Sequence, residues 1–292
     1  MGFFSKHIKR SGQGMPGQGR LAALCLLLFL VSLAVGVVSG FPSEALRNRM
    51  VQEITRQTGL AVSSTAMELG FPAEVRFDLT VDPHHPQVAP LVFPQLQLQP
   101  VWTSLVSGPK TASLQGRFAD GKVAATFSSE DHLQLNLQGI RLAPLQKTDN
   151  PYRLDGVLRG ELDGRQISQA GSADALFSAE VSNLVVFGLE QLALPESLAL
   201  GQLALQGRLR GQRLSLEKVT LAGDFAGLTG NGTIQLGVSP QRTRLNLRIT
   251  ATPGRSFPES LKPLIELSGV KPTPDGSYRF RIAGTLARPL FR

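Results

Sequence analysis

The segment LALQGRL at Leu203–Leu209 contains the two patterns that decide the fold of this chain. Its apolar residues alternate with polar or small ones, the two-residue period of a β-strand with one buried side. Its glycine stands between apolar positions, where glycine often marks a β-bulge, a bend or a close backbone contact. The segment therefore predicts a half-buried strand with a local irregularity.

Both patterns recur along the chain. The alternation is repeated in Leu133–Gln138, Leu245–Ile249 and Tyr278–Ile282. The apolar–x–Gly–x–apolar unit is found in Leu114–Phe118, Leu154–Leu158, Leu205–Leu209 and Ile282–Leu286. Pairs that supply the positive φ of hairpin turns lie between them, and several of these pairs are candidates for turns: Asp120-Gly121, Asp155-Gly156, Asp163-Gly164, Asn231-Gly232 and Asp275-Gly276.

The repeated unit favours one sheet rather than two unrelated domains. We predict that the chain is mainly β, with a long, curved, mostly antiparallel meander over residues 60–292. This sheet is open or partly closed and has roughly fifteen to twenty strands at most. Leu261, Leu264, Ile265 and Leu267 predict one short helix near Pro258–Ser268 that caps or fills the sheet.

A helix is predicted over residues 42–59. Pro42 suits the first helical position, the apolar residues from Ala45 to Ile54 fall near a 3.6-residue period, and Gly59 suits the stop. One interpretation is a stalk helix that packs on the following sheet. The other is a helix that lies on the membrane surface with its arginines towards the headgroups.

The uncharged apolar run Leu21–Phe41 predicts a transmembrane helix, because about 20 apolar residues cross a bilayer core. The expected anchor residues are Leu21, Leu24, Leu26, Leu27, Leu28, Phe29, Leu30, Val31, Leu33, Val35, Val37 and Val38. Residues 1–20 form a basic tail with Lys6, Lys9, Arg10 and Arg20 and no acidic residue. The positive-inside rule keeps this tail in the cytoplasm, so the bulk of the chain is expected in the periplasm after a single pass.

Two alternatives to a retained anchor stay open. Val38-Ser39-Gly40 is an acceptable signal-peptide cleavage site, although the run is longer than the usual apolar region of a signal peptide. A lipoprotein would use Cys25, but Leu24 stands where a small residue is expected. We therefore interpret Cys25 as an apolar side chain within the membrane.

Composition excludes several classes of protein. Cys25 is the only cysteine, so neither an intrachain disulfide nor a cysteine-ligated structural zinc site can form. The net charge is +8, but four of the basic residues are in the short tail and the other arginines are scattered. Trp102 is the only tryptophan and there are two tyrosines, which argues against a nucleic-acid surface with stacking aromatics.

No catalytic, metal or cofactor site is predicted. Gly12–Gly17 matches GxGxxG in letters, but no strand precedes it. Asp82–Pro86 contains His84 and His85 without an evident third metal ligand. Glu161 and Asp163 share one side of a strand, where we expect them to solvate that side rather than form an acid–base pair. No GxSxG nucleophile motif is present, and these patterns do not support an enzyme.

Several longer segments resemble the type II secretion system protein N (GspN) family and, more broadly, AsmA-like envelope proteins. Leu98–Ser128 resembles a block of strand, short helix, strand, glycine-containing turn and strand. Leu214–Leu236 and Arg242–Gly254 are similar to later strands of the family, and Asp275–Pro289 to its end. These motifs consist of leucine, glycine and turn residues and contain no catalytic signature.

The resemblance implies a non-enzymatic accessory subunit of the type II protein secretion system, held in the bacterial inner membrane. Its expected partners are other subunits of that system, which exposed strand edges can join by strand addition. The alternative is an AsmA-like protein whose concave sheet face binds or transfers lipid. The anchor implies contact with membrane lipid, whereas no cofactor and no nucleic acid is expected. A third hypothesis, a periplasmic enzyme, would need a cleft with convergent titratable groups.

Overall fold

The first described element is an amphipathic helix, α1 (Ser43–Thr58), in the place predicted for it. The computed structural model describes residues 43–70, 73–83, 87–106, 108–169, 171–190, 195–237, 239, 241–257 and 271–291. Helix α1 stops at Gly59, which has φ 69° and donates its N–H to the carbonyl of Thr55 at 2.8 Å. Glycine suits this stop because it adopts the left-handed conformation without a Cβ clash.

The rest of the described chain is β-rich. Its strands are β1 (Ala61–Ser63), β2 (Met67–Gly70), β3 (Glu74–Asp82), β4 (Leu91–Pro100), β5 (Thr111–Phe118), β6 (Gly121–Ser128), β7 (His132–Arg141), β8 (Arg153–Arg165), β9 (Asp174–Phe187), β10 (Ser197–Arg210), β11 (Arg213–Ala222), β12 (Ala226–Gln235), β13 (Arg244–Pro253), β14 (Tyr278–Thr285) and β15 (Arg288–Phe291). Two short helices interrupt them: α2 (Trp102–Val106) and a 3-10 turn at Ala143–Leu145.

All these strands form one antiparallel sheet of 15 strands. From β3 to β15 each strand pairs with its neighbours in sequence, and the short strands β1 and β2 both pair with the outer side of β3. The sheet does not close, since its order runs from β1 and β2 at one end to β15 at the other. The predicted antiparallel meander is therefore confirmed, and of the two predicted forms the sheet takes the open one.

The alternating segments lie in strands as predicted. Leu133–Gln138 is in β7, Leu203–Leu209 in β10, Leu245–Ile249 in β13 and Tyr278–Ile282 in β14. The block over Leu98–Ser128 also has the expected order, β4, α2, β5, a turn and β6.

The four glycine units contain the predicted irregularities. The pairing register shifts next to Gly156 and Gly207, as it does at a β-bulge. Gly284 has φ 97°, which favours glycine. Gly116 permits a close approach, because an added Cβ would lie 2.5 Å from Cδ2 of Leu96.

Of the five predicted turn pairs, two are at turns and three lie inside strands. Asp120 and its predecessor Ala119 have φ 65° and 44° and form the hairpin between β5 and β6. Asp275-Gly276 is in the turn before β14. Asp155-Gly156 and Asp163-Gly164 lie within β8, and Asn231-Gly232 within β12. In the last two pairs the polar residue and the glycine point to opposite sides of the sheet, so the pair follows the strand period instead of making a turn.

Several predicted features lie outside the described residues: the basic tail, the run Leu21–Phe41, the pair His84-His85 and the helix near Pro258–Ser268. Neither of the described α-helices is both long enough and apolar enough to cross a bilayer. Residues 44–292 belong to one unit of the chain.

Candidate functional site

The strand pairing sorts the side chains of the sheet onto two faces of opposite character. Residues that pair directly across antiparallel strands point to the same face. One row of such partners crosses the sheet from β2 to β14: Leu69, Val75, Leu98, Leu114, Ala125, Leu135, Leu162, Phe177, Gly207, Leu216, Gly232, Leu247 and Ile282. Every member is apolar or glycine. We call this row the apolar row and the face that contains it the apolar face.

The next row along the strands belongs to the opposite, polar face. It runs through Gln99, Ser113, Thr126, Gln134, Asp163, Leu176, Arg208, Ser215, Thr233, Asn246 and Ala283. Leu176 is the one large apolar side chain in this row, and it is 53% exposed. The strict alternation of the sequence thus becomes a segregation of polarity over the whole sheet.

The apolar face is only partly buried. In the apolar row the fully buried members are the small residues Ala125 and Gly207, whereas every large side chain keeps partial exposure. A sheet normally buries its apolar face against a second layer. The described strands all belong to the one sheet, so no second sheet covers this face within the described part of the chain.

Fully buried large side chains are spread along the sheet among partly exposed ones, and they include Phe77, Leu96, Val123, Ile140, Leu245 and Tyr278. Val181, Leu184 and Leu221 form a buried cluster on β9 and β11, against which Leu158 and Leu203 pack among others. Nearer the N-terminal end, the rings of Phe93 and Phe118 stack with their centroids 4.3 Å apart. Between the buried residues the apolar face has half-exposed side chains, among them Leu135, Phe177 and Leu247.

The polar face contains a ladder of hydrogen bonds between β7 and β8. His132 Nε2 lies 2.8 Å from Asp163 Oδ1, and the amide of Gln134 donates to Asp163 Oδ2 at 3.2 Å. The Asn136 amide donates to Glu161 at 3.4 Å. Hydrogen bonds from His132 and Gln134 lower the pKa of Asp163. Glu161 and Asp163 therefore share the polar face, as predicted, and each has a cross-strand partner.

The His132–Asp163 pair was missed by sequence reasoning. The two residues are 31 positions apart, and only the β7–β8 register brings them together. Ser128 is the register partner of His132 on β6, yet Asp163 is the only described side chain that hydrogen-bonds the imidazole. The Asp163 side chain is 55% exposed, so this pair lies on an open surface rather than in a cleft.

An ion pair joins β9 and β10 on the same face. Arg208 donates Nε to Asp174 Oδ1 at 2.6 Å and Nη2 to the other carboxylate oxygen, a two-pronged contact. The hydrogen bonds from Arg208 lower the pKa of Asp174. Within the described residues no group of three His, Cys, Asp or Glu side chains is placed to hold a metal ion.

The ends of the sheet are short strands. At the C-terminal end β15 pairs only with β14, which leaves its outer side without a partner among the described strands. Leu286 and Leu290 next to and within β15 are 54% and 52% exposed. At the other end a carboxylate, Asp78, joins β3 to the loop between β1 and β2.

The fold and surface thus define a mainly β protein with one open antiparallel sheet, one apolar face and one polar face. Comparison with known proteins adds no family: no family model, no curated protein and no solved structure matches this chain.

Proposed function

We propose that this chain is an inner-membrane-anchored, periplasmic accessory subunit of the type II protein secretion system and acts by binding rather than by catalysis. The sequence resemblance to protein N of that system supports the assignment, and the run Leu21–Phe41 supplies the expected anchor. The observation that carries the proposal is the outer side of β15, which pairs with no other strand in the described part of the chain. Pro289 has no N–H, so the template for an added strand consists of the backbone groups of the other β15 residues and the carbonyl of Pro289.

Deletion of this reading frame is expected to block export of a secreted substrate. A sharper test is Leu290→Lys, because a lysine on an edge strand disfavours strand addition. The substitution is expected to reduce export and to abolish crosslinks between β15 and its partner subunit, measured in intact cells.

Leu176→Lys is the matched control for this test. Leu176 is as exposed as Leu290, but it lies on the central strand β9, whose two neighbours already satisfy its backbone. We expect normal export from this variant. Normal export in the deletion strain, with an intact envelope, would contradict the secretion function.

The half-exposed apolar face favours a second function, the binding of lipid acyl chains. An acyl chain laid along the apolar row would shield those side chains from water, and each buried CH₂ contributes about 0.8 kcal/mol. The row crosses strands about 4.8 Å apart, so it is long enough for several carbons of one chain.

Leu135→Gln together with Leu247→Gln tests the lipid function. Both side chains belong to the apolar row and are half-exposed. We expect phospholipid to co-purify with the wild-type chain after native extraction, and the double variant to retain about tenfold less, measured by mass spectrometry. Leu176→Gln on the polar face is the control and should retain the wild-type amount. A wild-type chain that carries no lipid would overturn this function.

A further inference from the structure

The polar face is divided into two parts by charge. Two basic residues of β8 stand opposite carboxylates of β9: Arg159 pairs in register with Glu180, and Arg165 with Asp174. Six exposed basic residues on β11 to β14 have no ion-pair partner in the described part of the chain: Arg213, Lys218, Arg244, Arg248, Arg279 and Arg281. Four of them line one groove: Lys218, Arg248, Arg279 and Arg281. We call these four residues the basic patch.

Two arginines of the basic patch face each other directly. Arg248 on β13 is the register partner of Arg281 on β14, and like charges in such positions destabilise a sheet. Arg281 donates to the amide oxygen of Asn246 at 3.3 and 3.2 Å, a neutral contact that leaves both positive charges uncompensated. Arg279 lies two residues from Arg281 on the same face, about 7 Å along the strand. Arg248, Arg279 and Arg281 therefore stand on neighbouring positions of one face and line the same groove.

The basic patch lines a groove of about 560 Å³. Thr220, Thr229, Thr250 and Asn231 also line it, and no carboxylate does. The groove thus combines charged donors with hydroxyl and amide donors. The planar guanidinium of an arginine can donate two parallel hydrogen bonds to two phosphate oxygens. One arginine is enough to bind both oxygens of a carboxylate, so three arginines suit a phosphoryl group better.

We propose that the basic patch binds the phosphate groups of anionic lipid headgroups at a membrane surface. A single-stranded nucleic acid would need aromatic side chains on which its bases stack. The one aromatic residue of the groove, Phe280, belongs to the apolar face, because its register partner is Ile249. A second copy of this chain is also disfavoured, since two chains of net charge +8 repel each other. This surface is separate from the apolar face and from the β15 edge, and it extends both proposed functions.

The test uses the full chain, reconstituted into phosphatidylcholine nanodiscs and mixed with vesicles that contain or lack phosphatidylglycerol. Co-flotation measures binding in trans. We expect the wild-type chain to bind the anionic vesicles and not the neutral ones, and high salt to release it. Each arginine near an anionic membrane raises the affinity for that membrane about fivefold. The double variant Arg248→Gln with Arg281→Gln should therefore bind the anionic vesicles about 25-fold more weakly.

The control is Arg159→Gln with Arg165→Gln, which removes the same charge from the same face. These two arginines stand opposite carboxylates, so we expect the affinity for anionic vesicles to fall by less than about threefold. Because the Arg248–Arg281 pair is repulsive, its double variant should melt at or above the wild-type temperature. Equal losses in the two double variants, or a melting temperature of the Arg248/Arg281 variant below that of the wild type, would overturn the proposal. Inorganic phosphate is added as a competitor. If it displaces the vesicles at low concentration, the site binds free phosphate and the membrane assignment is wrong.

Discussion

Gly207→Ala is expected to lower the free energy of unfolding by about 3 kcal/mol. Gly207 lies in the apolar row, opposite a bulge of β11 at Glu217. A methyl group added there would overlap the carbonyl oxygen of Ser215 and lie 2.8 Å from two ring atoms of Phe177. Neither neighbour can move without a large energetic cost. The Ser215 carbonyl is backbone of the adjacent strand, and the Phe177 ring already fills the space above the glycine. Urea unfolding followed by circular dichroism measures the change.

Gly160→Ala is the matched control. Gly160 is also on the apolar face, in β8, but the nearest atom to an added methyl group, Ser178 O, would be 3.4 Å away, an ordinary contact. The smaller conformational entropy of the unfolded alanine chain should leave this variant unchanged or more stable by up to about 1 kcal/mol. A Gly207→Ala variant as stable as Gly160→Ala would show that the bulge does not require glycine.

Asp78→Ala is expected to lower the free energy of unfolding by about 2–3 kcal/mol, because its carboxylate organises the N-terminal end of the sheet. Asp78 accepts the N–H groups of Thr65 and Ala66 at 3.1 and 2.6 Å, and the hydroxyl groups of Ser64 and Thr65 at 3.3 and 2.5 Å. These bonds hold the loop that connects β1 to β2 against β3. Their loss should free both short strands, and hydrogen exchange of β1 and β2 would detect the release.

The same carboxylate gives a defined pH dependence. Partial burial raises the pKa of Asp78, but hydrogen bonds from Thr65 and Ala66 outweigh it and lower the pKa from 3.8 to about 2. A lowered pKa means that the ionised form stabilises the fold. The contribution, about 1–2 kcal/mol, is complete above pH 3.8 and is lost as the pH falls towards 2. The stability difference between wild type and Asp78→Asn should therefore shrink over that interval.

Asp163→Ala separates this effect from a general effect of removing a carboxylate. Asp163 also has a lowered pKa, but its partners His132 and Gln134 are side chains on the open polar face. We expect Asp163→Ala to lower the free energy of unfolding by less than about 1 kcal/mol. If Asp78→Ala lowers the free energy of unfolding no more than Asp163→Ala does, the loop between β1 and β2 keeps its place without the carboxylate.

Local patterns predicted the elements of this fold because they depend on neighbours in sequence. The alternation in Leu133–Gln138 and Tyr278–Ile282 assigned strands correctly, and Gly59 marked the end of α1. The glycine unit Leu205–Leu209 marked the register shift between β10 and β11 next to Gly207. The same local reasoning could not separate turns from strands at Asp163-Gly164. An aspartate–glycine pair suits both a hairpin and the two faces of a strand, and only the pairing with β7 and β9 decides between them.

The sequence by itself determined that each strand has an apolar and a polar side, since a period of two residues assigns the faces within a strand. Only the tertiary structure decided which residues of different strands stand side by side. Arg248 meets Arg281, and His132 meets Asp163, because hairpin turns and bulges set the register between strands, and a slip of one residue would exchange the faces. The apolar row and the basic patch are products of that register.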